Sequence, residues 1–353
     1  MSTVGKQTLL SFVIGGVTAG ASDLIAAFLI RAGEFRLESQ NIREYAAIFT
    51  VESRSVGEFL VHLMKPYHTL VVVTLLLLPC LSTLSAQTKP WLKADKVAEG
   101  VWRIDDNASD NMYLIVGTQR ALLIDTGVGV ADLSAFIKTV TNKPLLVINT
   151  HGHPDHAGGN FQFQTVYADA ADFDLIRQIT PGQARRYFPN LTRDKNRYSG
   201  LAPTEQTALG AKLVAVKDGF FFDLGGRRIE VIETPGHTPG EIVLLDATHN
   251  QVFTGDNDNR LVWLFLSHSL PLETYLDSLK KLNARSAEFS MIYPGHGPPL
   301  PNTFVAEQIG CVQAILSGSL PSELYHSFVG DARVSRFKTA EVAFDPGNLW
   351  LKK

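Results

Sequence analysis

One short run, THGHPDHAGGN at 150–160, holds His151, His153, Asp155 and His156. Neutral imidazole nitrogens and carboxylate oxygens are the ligands that hold a borderline-soft divalent cation such as zinc. Three histidines and one aspartate within six residues therefore point to a metal centre, and the chemistry expected of such a centre is metal-dependent hydrolysis.

The segments that carry these residues share a pattern. KPLLVINT at 143–150 is an apolar, β-branched run bounded by Asn-Lys-Pro, which reads as a buried strand. The first cluster thus sits in the loop at a strand's carboxyl end. Gly152, Pro154, Gly158 and Gly159 argue against regular helix there and predict a tight turn on which neighbouring side chains converge. Three later candidates repeat the arrangement. His237 lies in ETPGHTPGE (233–241) after RRIEVIE, Asp256 in QVFTGDND (251–258), and His296 in MIYPGHGPP (291–299). Each stands beside a glycine at the end of a strand-like stretch, and ligands at like ends of several strands converge on one edge of a layered domain.

Taken in order, His-x-His-x-Asp-His, Pro-Gly-His-Thr, Gly-Asp and a final Gly-His resemble the ligand set of the metallo-β-lactamase superfamily, over about residues 97 to 300. The resemblance implies an αββα sandwich with metals at one edge of its sheets. It further implies one zinc on His151, His153 and His237, and a second on Asp155, His156 and His296, with Asp256 bridging both. Two such metals, ~3.5–4 Å apart, lower the pKa of a shared water from near 16 towards ~7 and polarise the substrate oxygen. The expected enzyme is a dinuclear zinc hydrolase of an ester, lactone or thioester, using a metal-bridging hydroxide. Asp155 would orient that hydroxide and pass a proton to the leaving group. Asp125 in LLIDTG and Thr238 are candidates to fix ligand imidazoles, and Asn160 is a candidate partner or helix cap.

Departures from known branches narrow the class. The β-lactamase branches carry Cys or Ser where this chain has Asp256, so β-lactamase activity is an alternative rather than the first expectation. The Gly-Cys-Gly-Arg stretch of glyoxalase II is replaced by NDNRLVWLF (257–265), and Gly-Pro-Pro follows the last histidine. Flavodiiron proteins use Glu at the position of His153. A mononuclear iron persulfide dioxygenase is the other enzyme alternative, and a membrane-anchored binding protein without catalysis is the third reading.

Composition argues against one class of partner. A net charge of −3 over 353 residues, with Lys and Arg scattered, gives no groove for nucleic acid. A small-molecule substrate is expected. Loops at Pro181–Pro203, rich in Arg and Tyr, and the apolar Leu261–Leu266 run are candidates to meet it.

The amino end is of another kind. Residues 1–63 form an extension in which Leu9 to Ile30 is a candidate transmembrane helix with Asp23 as its one charge. Residues 64–86, from Met64 through an apolar core to Ala86, have the layout of a secretory signal peptide. The expectation is export to the periplasm or medium, or membrane anchoring if these segments are retained, with 87–353 as the hydrolase domain. Cys80 falls in the signal-like segment, so Cys311 alone would remain and no disulfide would form within the domain.

Within that domain, strands are expected at 101–105, 111–116, 120–125, 145–149, 212–216, 227–232, 241–246 and 251–255. Helices are expected at Ala131–Val140, Asp169–Ile179, Leu272–Asn283 and Thr303–Leu316. Two mixed sheets packed face to face, with helices outside, accommodate this order.

Overall fold

The computed structural model describes residues 91–107, 110–179 and 210–352, which belong to the unit Thr88–Lys353. The candidate transmembrane helix 9–30, the signal-like segment 64–86 and the 181–203 insert lie outside these residues. Among the described residues, no helix is long and apolar enough to cross a membrane.

The first sheet runs in chain order. β1 (Lys93–Ala98), β2 (Val101–Asp105), β3 (Met112–Val116) and β4 (Ala121–Ile124) form an antiparallel meander, followed by parallel β5 (Leu145–Ile148), β6 (Thr165–Asp169) and β7 (Lys212–Val216). The second sheet holds β8 (Phe221–Asp223), β9 (Arg228–Glu233), β10 (Ile242–Asp246), β11 (Gln251–Gly255), β13 (Met291–Pro294) and β14 (Leu300–Pro301), in the order β14-β13-β11-β10-β9-β8. Both central strands are apolar on both faces because both faces are covered. In β3, Tyr113 and Ile115 meet the second sheet's Val231, Leu244 and Phe253, while Met112 and Leu114 turn to the outer layer. In β10, Ile242 and Leu244 face the first sheet and Val243 and Leu245 face outward.

Helices close the two outer faces. α1 (Leu133–Val140) seats Leu133 and Ile137 on the first sheet, and the side chain of Asp132 caps its amino end by accepting from Ala135 N. α4 (Leu272–Asn283) and α5 (Phe304–Leu316) cover the second sheet with Leu272, Leu276, Leu279, Phe304, Val312 and others. The result is the expected αββα order.

Three local expectations need correction. The metal loop contains one helical turn, α2 (Pro154–Ala157), where only a tight turn was expected. Proline at the first helical position loses no hydrogen bond, since that N–H has no intrahelical partner anyway. The 169–179 helix divides into a 3₁₀ turn at Ala170–Asp172 and α3 (Phe173–Gln178), because Asp169 accepts from Ala171 N at 2.8 Å and starts the turn early. The third correction concerns a sheet that the sequence pattern did not announce. β12 (Leu261–Leu264), β17 (Ala340–Phe344), β16 (Gly330–Phe337) and β15 (Glu323–Ser327) form it in that order. Four of the six residues of the 261–266 run, read as a candidate substrate loop, thus form a strand whose Val262 and Leu264 pack with α4 and α5.

A buried arginine ties the two main sheets together. Arg227 pairs through Nε with the Asp246 carboxylate, donates from Nη2 to Gln251 Oε1 at 2.8 Å, and reaches the Glu99 carbonyl of the β1–β2 turn at 2.8 Å. Asp246 is fully buried; Arg227 serves its Oδ2, while Oδ1 accepts from His249 N at 3.2 Å and lies 2.9 Å from His249 Nδ1. Replacing Arg227 with Met leaves that carboxylate without its cation and is expected to cost about 3–5 kcal/mol. Denaturant unfolding of R227M and of the R227M/D246L double variant checks this: the double variant should recover most of the loss, and equal losses would contradict the pairing.

Candidate metal centre

The carboxyl ends of β5, β9, β11 and β13 lie at one edge of the sandwich, and each carries one group of the predicted ligands. β9 and β11 both run antiparallel to β10, and β11 runs parallel to β13, so their ends coincide. Hydrogen bonds, two of them between backbone atoms, join that edge across the two sheets. Ile242 N donates to Thr150 O at 2.9 Å, Asn111 N to Gly295 O at 2.7 Å, and Tyr113 Oη to Pro294 O at 2.9 Å. Gly158 fits against the neighbouring loop so closely that a Cβ there would meet Pro154 O at 2.4 Å and Val128 O at 2.8 Å. Only glycine permits that approach.

All seven predicted ligands come together. His151, His153 and His237 form one trio and Asp155, His156 and His296 another, each with its donor atoms within 4.8 Å of one another. In the first, His153 Nδ1 is 3.0 Å from His151 Nε2 and 2.9 Å from His237 Nε2. In the second, His156 Nε2 is 3.3 Å from His296 Nε2, and Asp155 Oδ2 is 3.6 Å from His296 Nε2. Asp256 stands between them. Its Oδ2 lies 3.4 Å from His237 Nε2, while its Oδ1 lies 3.4 Å from His156 Nε2 and 3.2 Å from His296 Nε2.

These spacings suit tetrahedral cations. Ligands at about 2.0–2.1 Å from a zinc ion are roughly 3.3 Å from one another, close to the separations seen here. Asp256 Oδ1 is buried with no hydrogen-bond partner, and a bound cation would satisfy it. The donor set therefore fits divalent metal at both trios.

The outward nitrogens are held as a metal site requires. Thr150 Oγ1 donates to Asp125 Oδ2 at 2.8 Å and so accepts from His151 Nδ1 at 3.1 Å. His156 Nδ1 donates to Asp125 Oδ2 at 2.9 Å, and His237 Nδ1 to the Trp263 carbonyl at 2.6 Å. Each bond fixes the tautomer that leaves Nε2 free for a cation. Asp125 reaches this position with φ of 64°, a left-handed conformation that aspartate tolerates better than most residues. Thr238, the other expected partner, does something else: its hydroxyl donates to Asp172 Oδ2 at 2.6 Å. Asn160 is not a cap either. It bridges Asn149 and Thr126 beneath the loop.

Sequence reasoning missed four residues here. Asp172 accepts from Gly152 N, Thr238 Oγ1 and Gly240 N, joining the His151 and His237 loops. Glu241 accepts from Asp256 N at 3.1 Å and brings Oε2 to 3.6 Å from His151 Nδ1. The glutamate in PGHTPGE was a visible signal, whereas Asp172 stood in an unremarkable helical stretch. Trp263 acts through its backbone, which side-chain identity cannot reveal. His268 Nε2 touches His153 Nε2 at 2.5 Å, and burial, then His237, push the His268 pKa down to about 4.

The two trios differ electrostatically. Burial, reinforced by neighbouring imidazoles, holds His151 and His153 well below the usual histidine range, and burial also lowers His237. Burial disfavours charge on His156 too, but Asp256, Asp125 and Asp155 outweigh it and lift that pKa well above 6.5. His296 is raised in the same way, with Asp256 opposing burial. Asp256 itself stays ionised because His296 and His156 overcome its burial. One trio is a nest of neutral rings and the other is rich in carboxylate.

Residues 107–296 match the family model described as the metallo-beta-lactamase superfamily, more than half of the chain. The chain belongs to the metallo-beta-lactamase superfamily. Human acyl-coenzyme A thioesterase MBLAC2 is 26% identical over 257 residues, covering 62% of this chain and 84% of that protein. An atrochrysone carboxyl ACP thioesterase of Aspergillus fumigatus is 26% identical over 195 residues, with 53% of this chain and 37% of that protein covered. Among solved structures, the sec-alkylsulfatase Pisa1 from Pseudomonas sp. superposes with a TM-score of 0.51 at 16% identity, over 64% of this chain and 42% of that one. That likeness is one of fold. Within the superfamily the chain is a hydrolase.

Asp125 offers the sharpest test of the geometry. Asp125→Ala leaves His156 Nδ1 and Thr150 Oγ1 without their shared acceptor, and metal affinity is expected to fall about 10–100-fold. Competition with a chelator dye measures it, and an unchanged affinity would show that Asp125 does not orient His156.

Proposed function

We propose that the protein is a dinuclear zinc hydrolase whose substrate is an acyl thioester. The placement of Asp256, one oxygen toward each trio, carries the two-metal reading. When bound, two zinc ions supply an acidified water and a Lewis acid for the substrate carbonyl oxygen. His151, His153 and His237 would hold one ion, and Asp155, His156 and His296 the other, with Asp256 shared.

Asp155 has the second task. Its side chain is 17% exposed, so it stands at the open side of the centre while Oδ2 is turned to His156 and His296. There it orients the attacking water and carries its proton to the leaving sulfur. The relatives named as acyl-coenzyme A and ACP thioesterases support a thioester over an ester or lactone. An apolar surface supports an acyl group. Trp263, whose carbonyl anchors His237, packs its ring at tilted and edge-on angles against Phe265, Tyr325 and Phe328, the last of them 46% exposed. A hydrocarbon chain laid there would bury apolar area at about 25 cal/mol per Å².

Metal analysis and a substrate screen test this reading together. The zinc-loaded chain should hydrolyse acyl thioesters in preference to lactones, phosphodiesters and cephalosporins. Turnover of phosphodiesters alone would overturn the substrate, and a single iron with oxygen uptake on a persulfide would overturn the reaction. Asp155→Ala should lower kcat by about 10²–10⁴-fold with the fold intact, as read by circular dichroism. His151→Ala should abolish turnover in a folded protein.

Protons compete with cations for the same ring nitrogens. At the trio of His156 and His296, whose pKa values lie above 6.5, a cation must displace protons already near neutrality, so its affinity falls as pH drops through that range. His151, His153 and His237 lie below 6.5 and stay neutral to lower pH. Equilibrium dialysis at stepped pH should therefore show one equivalent of metal released before the other. Simultaneous release of both would contradict the assignment.

A further inference from the structure

Three of the buried ring nitrogens that face away from the trios end on oxygen: Thr150 Oγ1 for His151, Asp125 for His156, and the Trp263 carbonyl for His237. His153 is different. Its Nδ1 is the atom directed at His151 and His237, so its neutral ring carries the proton on Nε2. The atom facing that proton is His268 Nε2, 2.5 Å away, with the rings tilted at 63° and their centroids 4.8 Å apart.

We propose that His268 is a positioning residue of the metal centre, accepting the His153 Nε2–H and thereby fixing the tautomer and rotation that present His153 Nδ1 to a cation. His268 must then carry its own proton on Nδ1. The turn that bears it is tied to the His237 loop, as such a role requires. Ser269 Oγ donates to His237 O at 3.0 Å, Leu270 N donates to Gly236 O at 2.8 Å, and Asn348 Nδ2 donates to Ser269 O at 2.9 Å. His268 therefore moves with His237 rather than with a free loop. A neutral imidazole as acceptor also adds no charge beside the trio of neutral rings, which a carboxylate would. Holding a ligand in this way is worth about 10–100-fold in metal affinity.

This inference rests on the metal centre proposed above and is independent of the substrate. The test is zinc affinity of the full chain by chelator competition, with cobalt(II) absorption as the second readout, in wild type, His268→Ala and His268→Gln. Expected is a 10–100-fold loss of affinity in the Ala variant with the cobalt spectrum unchanged in shape at saturation. The Gln variant, whose amide oxygen can accept the same proton, should recover most of the affinity. Equal affinity in wild type and the Ala variant would overturn the proposal. A changed cobalt spectrum that Gln fails to restore would also overturn it, by making His268 a ligand. Wild type that binds no metal would instead refute the centre itself.

Discussion

Seven ligand side chains must bring their donor atoms to within roughly 3–3.5 Å of a neighbour in a largely buried site, and the rest of the molecule is arranged around the cost of doing so. Unprotonated nitrogens and carboxylate oxygens at that separation repel, and the repulsion is stronger where water is excluded. A flexible chain would relieve it by moving apart. Here each donor stands in the short loop or helical turn that follows a strand, and the strand ends are cross-linked by Ile242–Thr150, Asn111–Gly295 and Tyr113–Pro294 hydrogen bonds. The sheets are held in turn by the Arg227 ion pair and a shared apolar core. The scaffold maintains a crowded arrangement that a cation stabilises.

The same constraint explains which parts of the site were legible in the sequence. Ligand types are restricted by the chemistry of the cation, and their spacing by the turn that follows a strand, so His151, His153, Asp155, His156, His237, Asp256 and His296 all carried a signal. Their supports are less restricted. The acceptor for an imidazole N–H can be the Asp125 carboxylate, the Thr150 hydroxyl, the Trp263 carbonyl or the His268 ring, and no single residue type marks the job. Thr238 shows the converse: it stands beside a ligand, yet its hydroxyl serves Asp172.

Secondary structure followed a similar division. Strands buried on both faces, such as β10 and β11, were plain as apolar runs, and Leu272–Asn283 showed its helical spacing to the residue. The third sheet was obscure because one of its faces is half exposed and its first strand, β12, pairs with the distant β17, although β15, β16 and β17 form local hairpins. An apolar run such as 261–266 has several uses, and only its partner decides among them. α2 was hidden for another reason: proline and glycine usually break helix, yet Pro154 starts this turn and Gly158 ends it.

β12 belongs to two structures at once. Its Val262 and Leu264 complete the apolar layer beneath α4 and α5, its edge pairs with the chain's last strand, and its Trp263 carbonyl receives the proton of His237. The C-terminal sheet is therefore not a detachable module appended to a finished catalytic domain. A graft that exchanged this sheet for another would carry away the carbonyl that anchors His237, so the third sheet and the candidate metal centre can be exchanged only together.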